Sequence, residues 1–155
     1  MNAATHLITG ATVGALAPNW WSAIILALLL HFLLDAIPHT DLGEPHALKV
    51  SAPVAADVLI GLFVIALFFL YTPAKTNLAL GAFFGIFPDL LQISLMIFSP
   101  TRWQQAWLSK FHNFLHWFDF SRFKLKNPPS AGISLAYQIV IWLMCYLILV
   151  LNHAV

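Results

Sequence analysis

Five apolar runs fill most of this 155-residue chain, and they limit what it can fold into. The last, Ala131 to about Asn152, contains no Asp, Glu, Lys, Arg or His. The second opens on Trp20 and Trp21, an interfacial pair, and runs to Ile37. The third begins at Pro53, a residue suited to the first turn of a helix, and runs to about Tyr71. Asn77 to Phe98 is the fourth, and its Pro88-Asp89 pair is expected to kink or break it. The first, Ala3 to Ala17, is short and rich in small residues, with Gly10 and Gly14 spaced for close helix approach. Between the runs lie a Pro18-Asn19 turn, a polar loop from Pro38 to Ser51 and a short loop from Thr72 to Thr76.

Hydrophobic residues make up 61% of the chain and charged residues 8%, and the mean hydropathy is +0.84. A soluble domain is roughly 45–50% apolar and about 25% charged. This chain cannot cover so much apolar surface with its own core, and the bilayer is its natural solvent. The expected fold is therefore an all-α membrane protein, a single domain with about five transmembrane helices plus one amphipathic interfacial helix. A net charge of +1 with no large basic block excludes a nucleic-acid partner. Cys145 stands alone, so no internal disulfide forms. Ala15-Leu16-Ala17 mimics a signal-peptidase site, but Pro18 follows it and His6 interrupts the apolar run, so the segment is expected to be retained.

Residues 101–118 supply the amphipathic helix. At 100° per residue, Trp103, Gln104, Trp107, Leu108, Phe111, Phe114, Leu115 and Phe118 fall on one arc, and Gln105, Ser109, His112, Asn113 and His116 on another. Arg102, Lys110, Arg122, Lys124 and Lys126 all lie between the fourth run and the last. The positive-inside rule places that segment in the cytoplasm. Counting back gives a multi-pass protein of the inner (cytoplasmic) membrane, N-terminus inside and C-terminus outside. His6, His31, Asp35, His39, Asp41, His46, Asp57, Asp89, His112 and His116 then all lie toward one membrane face. A weak repeat accompanies this layout, in which residues 3–50 and 54–100 read as two helical hairpins. His6-x3-Gly10 matches Asp57-x3-Gly61, and His31-x3-Asp35-x2-Pro38 matches Gly81-x3-Gly85-x2-Pro88.

An ionisable residue inside a membrane span costs roughly 2.5–3.5 kcal/mol on insertion scales, so each one needs a reason. Asp35, Asp57 and Asp89 have no Lys or Arg within the spans to pair with, which leaves histidines, directly or through a metal. Carboxylate and imidazole donors at about 2.0–2.2 Å make a catalytic-type zinc site with an open water position, and another divalent ion fits the same donors. His6, His31, Asp35, Asp57, Asp89, His112 and His116 are the candidate ligands. His31/Asp35 and His112/His116 both have the i, i+4 spacing that puts two donors on one helix face. Plainer roles exist for each: a helix-end hydrogen bond for His31–Asp35, interfacial histidines for His112 and His116, a helix-start cap for Asp89, and complementation of the third helix's dipole for Asp57. Asp41, as general base, and His39 are the candidate catalytic residues.

The motifs Thr5-His6-x3-Gly10-x3-Gly14, His31-x3-Asp35-x2-Pro38-His39-x-Asp41, Pro88-Asp89 and His112 with His116 together resemble a known family. It is the small bacterial membrane-bound metal-dependent hydrolases of the YdjM-like group, and the resemblance covers roughly residues 5 to 117. It implies an inner-membrane helical protein with a divalent metal held by His and Asp, with His6, Asp41, Asp89 and His112 as site positions. That group follows a Pro-Asp-x-Asp segment with an Arg and a Thr-His-Ser. Here the segment reads Pro38-His39-Thr40-Asp41, and no Thr-His-Ser follows.

The expected function is a membrane-embedded metal-dependent hydrolase acting on an ester or phosphoester, a small-molecule or lipid-derived substrate, at the cytoplasmic face among membrane lipids. The alternative is a non-catalytic scaffold or binding protein holding a structural metal or a His–Asp network. Transport is disfavoured, because a pore needs ionisable groups along its whole depth and here they gather at one end.

Overall fold

A computed structural model of the chain describes residues 1–37, 39, 52–98 and 129–153. All regular structure among the described residues is helical: α1 Ala3–Leu16, α2 Trp20–Asp35, α3 Ala52–Tyr71, α4 Lys75–Phe98 and α5 Ala131–His153.

The bundle is built around α1, which touches each of the other four helices. Its small residues make this possible. A Cβ added at Gly10 would collide with the Gly81 carbonyl, one at Gly14 with the Asn77 carbonyl, and one at Gly81 with the Gly10 carbonyl. Backbone therefore lies on backbone, as small residues four apart allow. The order of these contacts makes α1 and α4 antiparallel, with Gly14 meeting Asn77, Gly10 meeting Gly81, and the His6 carbonyl meeting Gly85. At the end where α4 begins, Asn77 donates its side-chain N–H to the Ala17 carbonyl at 3.1 Å.

Asn19 starts α2 with a capping box, accepting the Ser22 amide at 2.9 Å while the Ser22 hydroxyl turns back toward Asn19. The exposed rings of Trp20 and Trp21 stack beside it at 3.7 Å. From the opposite end, α5 runs alongside α1 in the same direction. Gln138 accepts from the Thr5 hydroxyl at 2.8 Å and from the Asn2 amide at 3.2 Å, and Trp142 donates to Thr5 at 3.0 Å.

Polar side chains share the interior with apolar ones, and large apolar side chains face outward. Thr5, His6, His31, Ser134 and Gln138 are almost fully buried, whereas Leu59, Phe63 and Leu70 of α3 and Leu143 and Leu151 of α5 are exposed. Among the described residues, two helices are long and apolar enough to cross a membrane: α3, with a mean hydropathy of 2.5, and residues Ala131–Asn152 of α5, at 2.2. The 14 and 16 residues of α1 and α2 rise only about 21 and 24 Å, short of the ~30 Å apolar layer.

Several expectations need correction. The pair Pro88-Asp89 does not break the fourth helix, and α4 runs through it. Proline inside a helix is tolerated where neighbours satisfy the freed backbone groups. Pro88 removes the bond to the Phe84 carbonyl, and the His31 ring bonds the next carbonyl, that of Gly85. Asp89 consequently lies mid-helix and caps nothing at a helix start. The expected 72–76 loop is shorter, because α4 already begins at Lys75, and α2 ends at Asp35 rather than Ile37. Asp57 is not in the opening turn of α3, which starts at Ala52. It serves another helix: its Oδ2 accepts the Ala4 amide at 2.9 Å, at the start of α1. The expected amphipathic helix at 101–118 lies outside the described residues.

Candidate metal centre

Three helices bring the rare polar side chains of the chain to one place. From its first turns α1 supplies His6, from its last turn α2 supplies His31 and Asp35, and from its middle α4 supplies Asp89. The α1–α4 glycine seam sets how closely the first and third of these approach. The two imidazole rings lie 4.2 Å apart, centre to centre, tilted by 34°.

Asp35 reaches both rings, His6 Nε2 to Oδ1 at 3.0 Å and His31 Nε2 to Oδ2 at 3.2 Å. Asp89 stands on the other side, 3.7 Å from His31 Nε2 and 4.0 Å from His6 Nε2. Donor atoms of His6, His31 and Asp89 all fall within 4.8 Å of one another, so the three residues are placed to hold a metal ion.

Orientation supports this. His31 Nδ1 lies 2.8 Å from the Gly85 carbonyl. A carbonyl only accepts, so Nδ1 is the protonated nitrogen, and in the neutral ring Nε2 carries the lone pair. This is how metal-ligating histidines are usually held, by a partner on the nitrogen away from the ion. Both Nε2 atoms are buried without a hydrogen bond, despite the nearby carboxylates. An imidazole lone pair facing a carboxylate oxygen at 3.2 Å is repulsive unless a proton or a cation lies between them. The donor set of nitrogens and carboxylate oxygens suits a divalent transition metal.

His6, His31 and Asp35 are buried, and Asp89 is the open edge, its side chain 28% exposed. His39 lies beside the cluster. Its Nδ1 donates to the Ile37 carbonyl at 2.7 Å, and its Nε2 accepts from the Met1 amine, which also reaches Asp35. Asp57 faces the start of α1 through the Ala4 amide. Asp41, His112 and His116 lie outside the described residues.

Two elements of the arrangement were not anticipated from sequence. The Gly85 carbonyl orients His31, although Gly85 stood out only as a repeat match. Gln138 and Trp142 anchor α1 at Thr5, next to His6, although α5 read as almost wholly apolar. The i, i+4 spacing of Ser134, Gln138 and Trp142 was the available signal.

No family model matches the chain, and neither a curated protein nor a solved structure matches it.

Proposed function

We propose that this chain is a multi-pass inner-membrane protein that holds a divalent metal ion, zinc foremost, between His6, His31 and Asp89, and hydrolyses an ester or phosphoester at the cytoplasmic membrane face. One observation carries the reading: two buried imidazole nitrogens without hydrogen bonds face two carboxylates across a few ångströms. Kinship with the YdjM-like group belongs to the same proposal, and His6 and Asp89, which that resemblance marks, are two of the three donors. Three protein donors leave a coordination position for water, the arrangement of catalytic rather than structural zinc. A divalent ion there supplies Lewis acidity and lowers the pKa of bound water to near neutral.

The remaining roles fall to this chain's own side chains. Asp35 holds both rings in place, the Gly85 carbonyl sets the tautomer of the neutral His31 ring so that Nε2 carries the lone pair, and the exposed edge at Asp89 admits substrate. Asp41 is assigned as the base and His39 as its neighbour in the same loop. The long apolar α3 and α5 and their exposed large apolar side chains support the membrane setting.

A second reading has its own observation. Both imidazoles are about 1% exposed, and the cluster ties α1, α2 and α4 together, which suits a structural network in a non-catalytic scaffold. Turnover of an ester and phosphoester panel separates the two. The hydrolase reading expects activity with bound metal, lost on chelation and in Asp89→Asn. Stoichiometric metal with no turnover across the panel supports the scaffold.

A further inference from the structure

The depth of the site can be measured along the helices. Trp20, Tyr71 and Lys75 mark one end of the bundle, where α2 begins, α3 ends and α4 begins, and the Asn77–Ala17 hydrogen bond ties the α1–α2 turn to it. Aromatic residues of this kind sit at a membrane interface. Asp35 lies fifteen residues past Trp20, Asp57 fourteen before Tyr71, and Asp89 fourteen past Lys75. At 1.5 Å per residue all three acids fall about 21–23 Å from that end. They form one layer, although they come from three helices running in alternate directions.

The apolar part of a bilayer is about 30 Å thick, the length of the 20-residue α3. Asp57 lies five residues inside the start of α3, about 8 Å from it. Gln138 lies seven residues inside the start of α5, about 10 Å. The polar layer thus sits beneath the end of the bundle, below headgroup depth. Its open edge has apolar neighbours: Asp89 is followed by exposed Leu90 and, one turn on, by exposed Ile93, and Asp35 is flanked by exposed Leu33 and Ile37.

Resting on the membrane and metal reading above, we infer that the metal centre lies about 8 Å inside the apolar layer and takes an ester carried by a bilayer lipid, which arrives sideways past Asp89. Of the polar groups of a lipid, the acyl esters at the edge of the apolar layer lie nearest this depth, deeper than the headgroup phosphate, and the chains beyond them meet an apolar surface such as that of Leu90, Ile93 and Leu33. A phosphoester in the headgroup, or a soluble ester, would have to leave its own solvent to reach the ion.

Two measurements in lipid nanodiscs test this. In a Cys145→Ser background, nitroxides are attached at Leu90→Cys and, as a second reporter, Leu33→Cys, with Trp21→Cys as the interfacial control. The expected result is that oxygen collides with the Leu90 and Leu33 labels several-fold more often than an aqueous nickel chelate does, with the reverse at Trp21. Nickel access at Leu90 equal to that at Trp21 overturns the depth. The otherwise unlabelled chain, loaded with Mn2+, is then mixed with lipids carrying nitroxides at the headgroup, the upper acyl chain or the chain end. Strongest relaxation of the upper-chain label supports a lipid ester at the ion, and strongest relaxation at the headgroup overturns it. If no Mn2+ binds at stoichiometric levels, the metal reading falls and the lipid-ester assignment with it, while the Leu90 label still decides the depth.

Discussion

The seam between α1 and α4 has two ends of opposite chemistry. At one end Gly10, Gly14 and Gly81 bring backbone against backbone, with no room for a methyl group. At the other, the His6 carbonyl meets Gly85 while the His6 ring faces Asp89 at 4.0 Å. The bare end sets the spacing and the polar end uses it. The close approach of α1 and α4 at Gly81 and Gly85 fixes where His6 stands relative to Asp89. The glycines therefore help to shape the candidate metal site, although none of them can bind a metal through a side chain.

Substitutions can break this comparison from either end. The largest effect is expected at the bare end. Gly81→Leu drives a side chain into the Gly10 carbonyl and the Gly14 backbone, and costs about 3 kcal/mol or more. Size-exclusion chromatography and thermal melting in detergent should show loss of the monodisperse helical species. At the polar end, His31→Ala leaves the seam intact and removes a donor. Metal affinity should fall beyond the ~10–100-fold typical of losing a supporting group, while helical content holds. Competition with a chelating dye measures the first and circular dichroism the second.

Gly85 joins the two ends, because it both contacts the His6 carbonyl and orients His31. Gly85→Ala should therefore show both effects in reduced form, about 1–3 kcal/mol of stability and roughly tenfold weaker metal binding. Stability lost with unchanged affinity would separate the seam from the site. Asp57→Asn should be the mildest. It keeps an acceptor for the Ala4 amide but removes a charge from the α1 N-terminus, a cost of about 0.3–1 kcal/mol. Metal affinity should not change, and a tenfold loss would return Asp57 to the ligand set.

Helix positions were legible in the sequence because each apolar run is long and clearly bounded, and the boundaries moved by only a few residues. His31 and Asp35 were legible as a pair, since a helix puts i and i+4 on one face regardless of what packs against it. The convergence of His6 and Asp89 on that pair was expected from their shared membrane face and their place among the candidate ligands of one site. Their contact depends on the α1–α4 register, which Gly81 and Gly85 set across the bundle. Local reading misled at Pro88-Asp89, where proline ordinarily stops a helix, and at Asp57, which complements the dipole of a neighbouring helix rather than its own. The role of Gln138 was hidden for the same reason, because one buried amide in an apolar helix shows its purpose only when its partners, Thr5 and Asn2, are known.

The central claim is that the buried His–Asp cluster is a metal centre, and elemental analysis of the protein purified in mild detergent at neutral pH tests it most directly. The account predicts one divalent ion per chain in wild type and none in His31→Ala. Wild-type protein without stoichiometric metal, or a His31→Ala variant that holds as much as wild type, would contradict it.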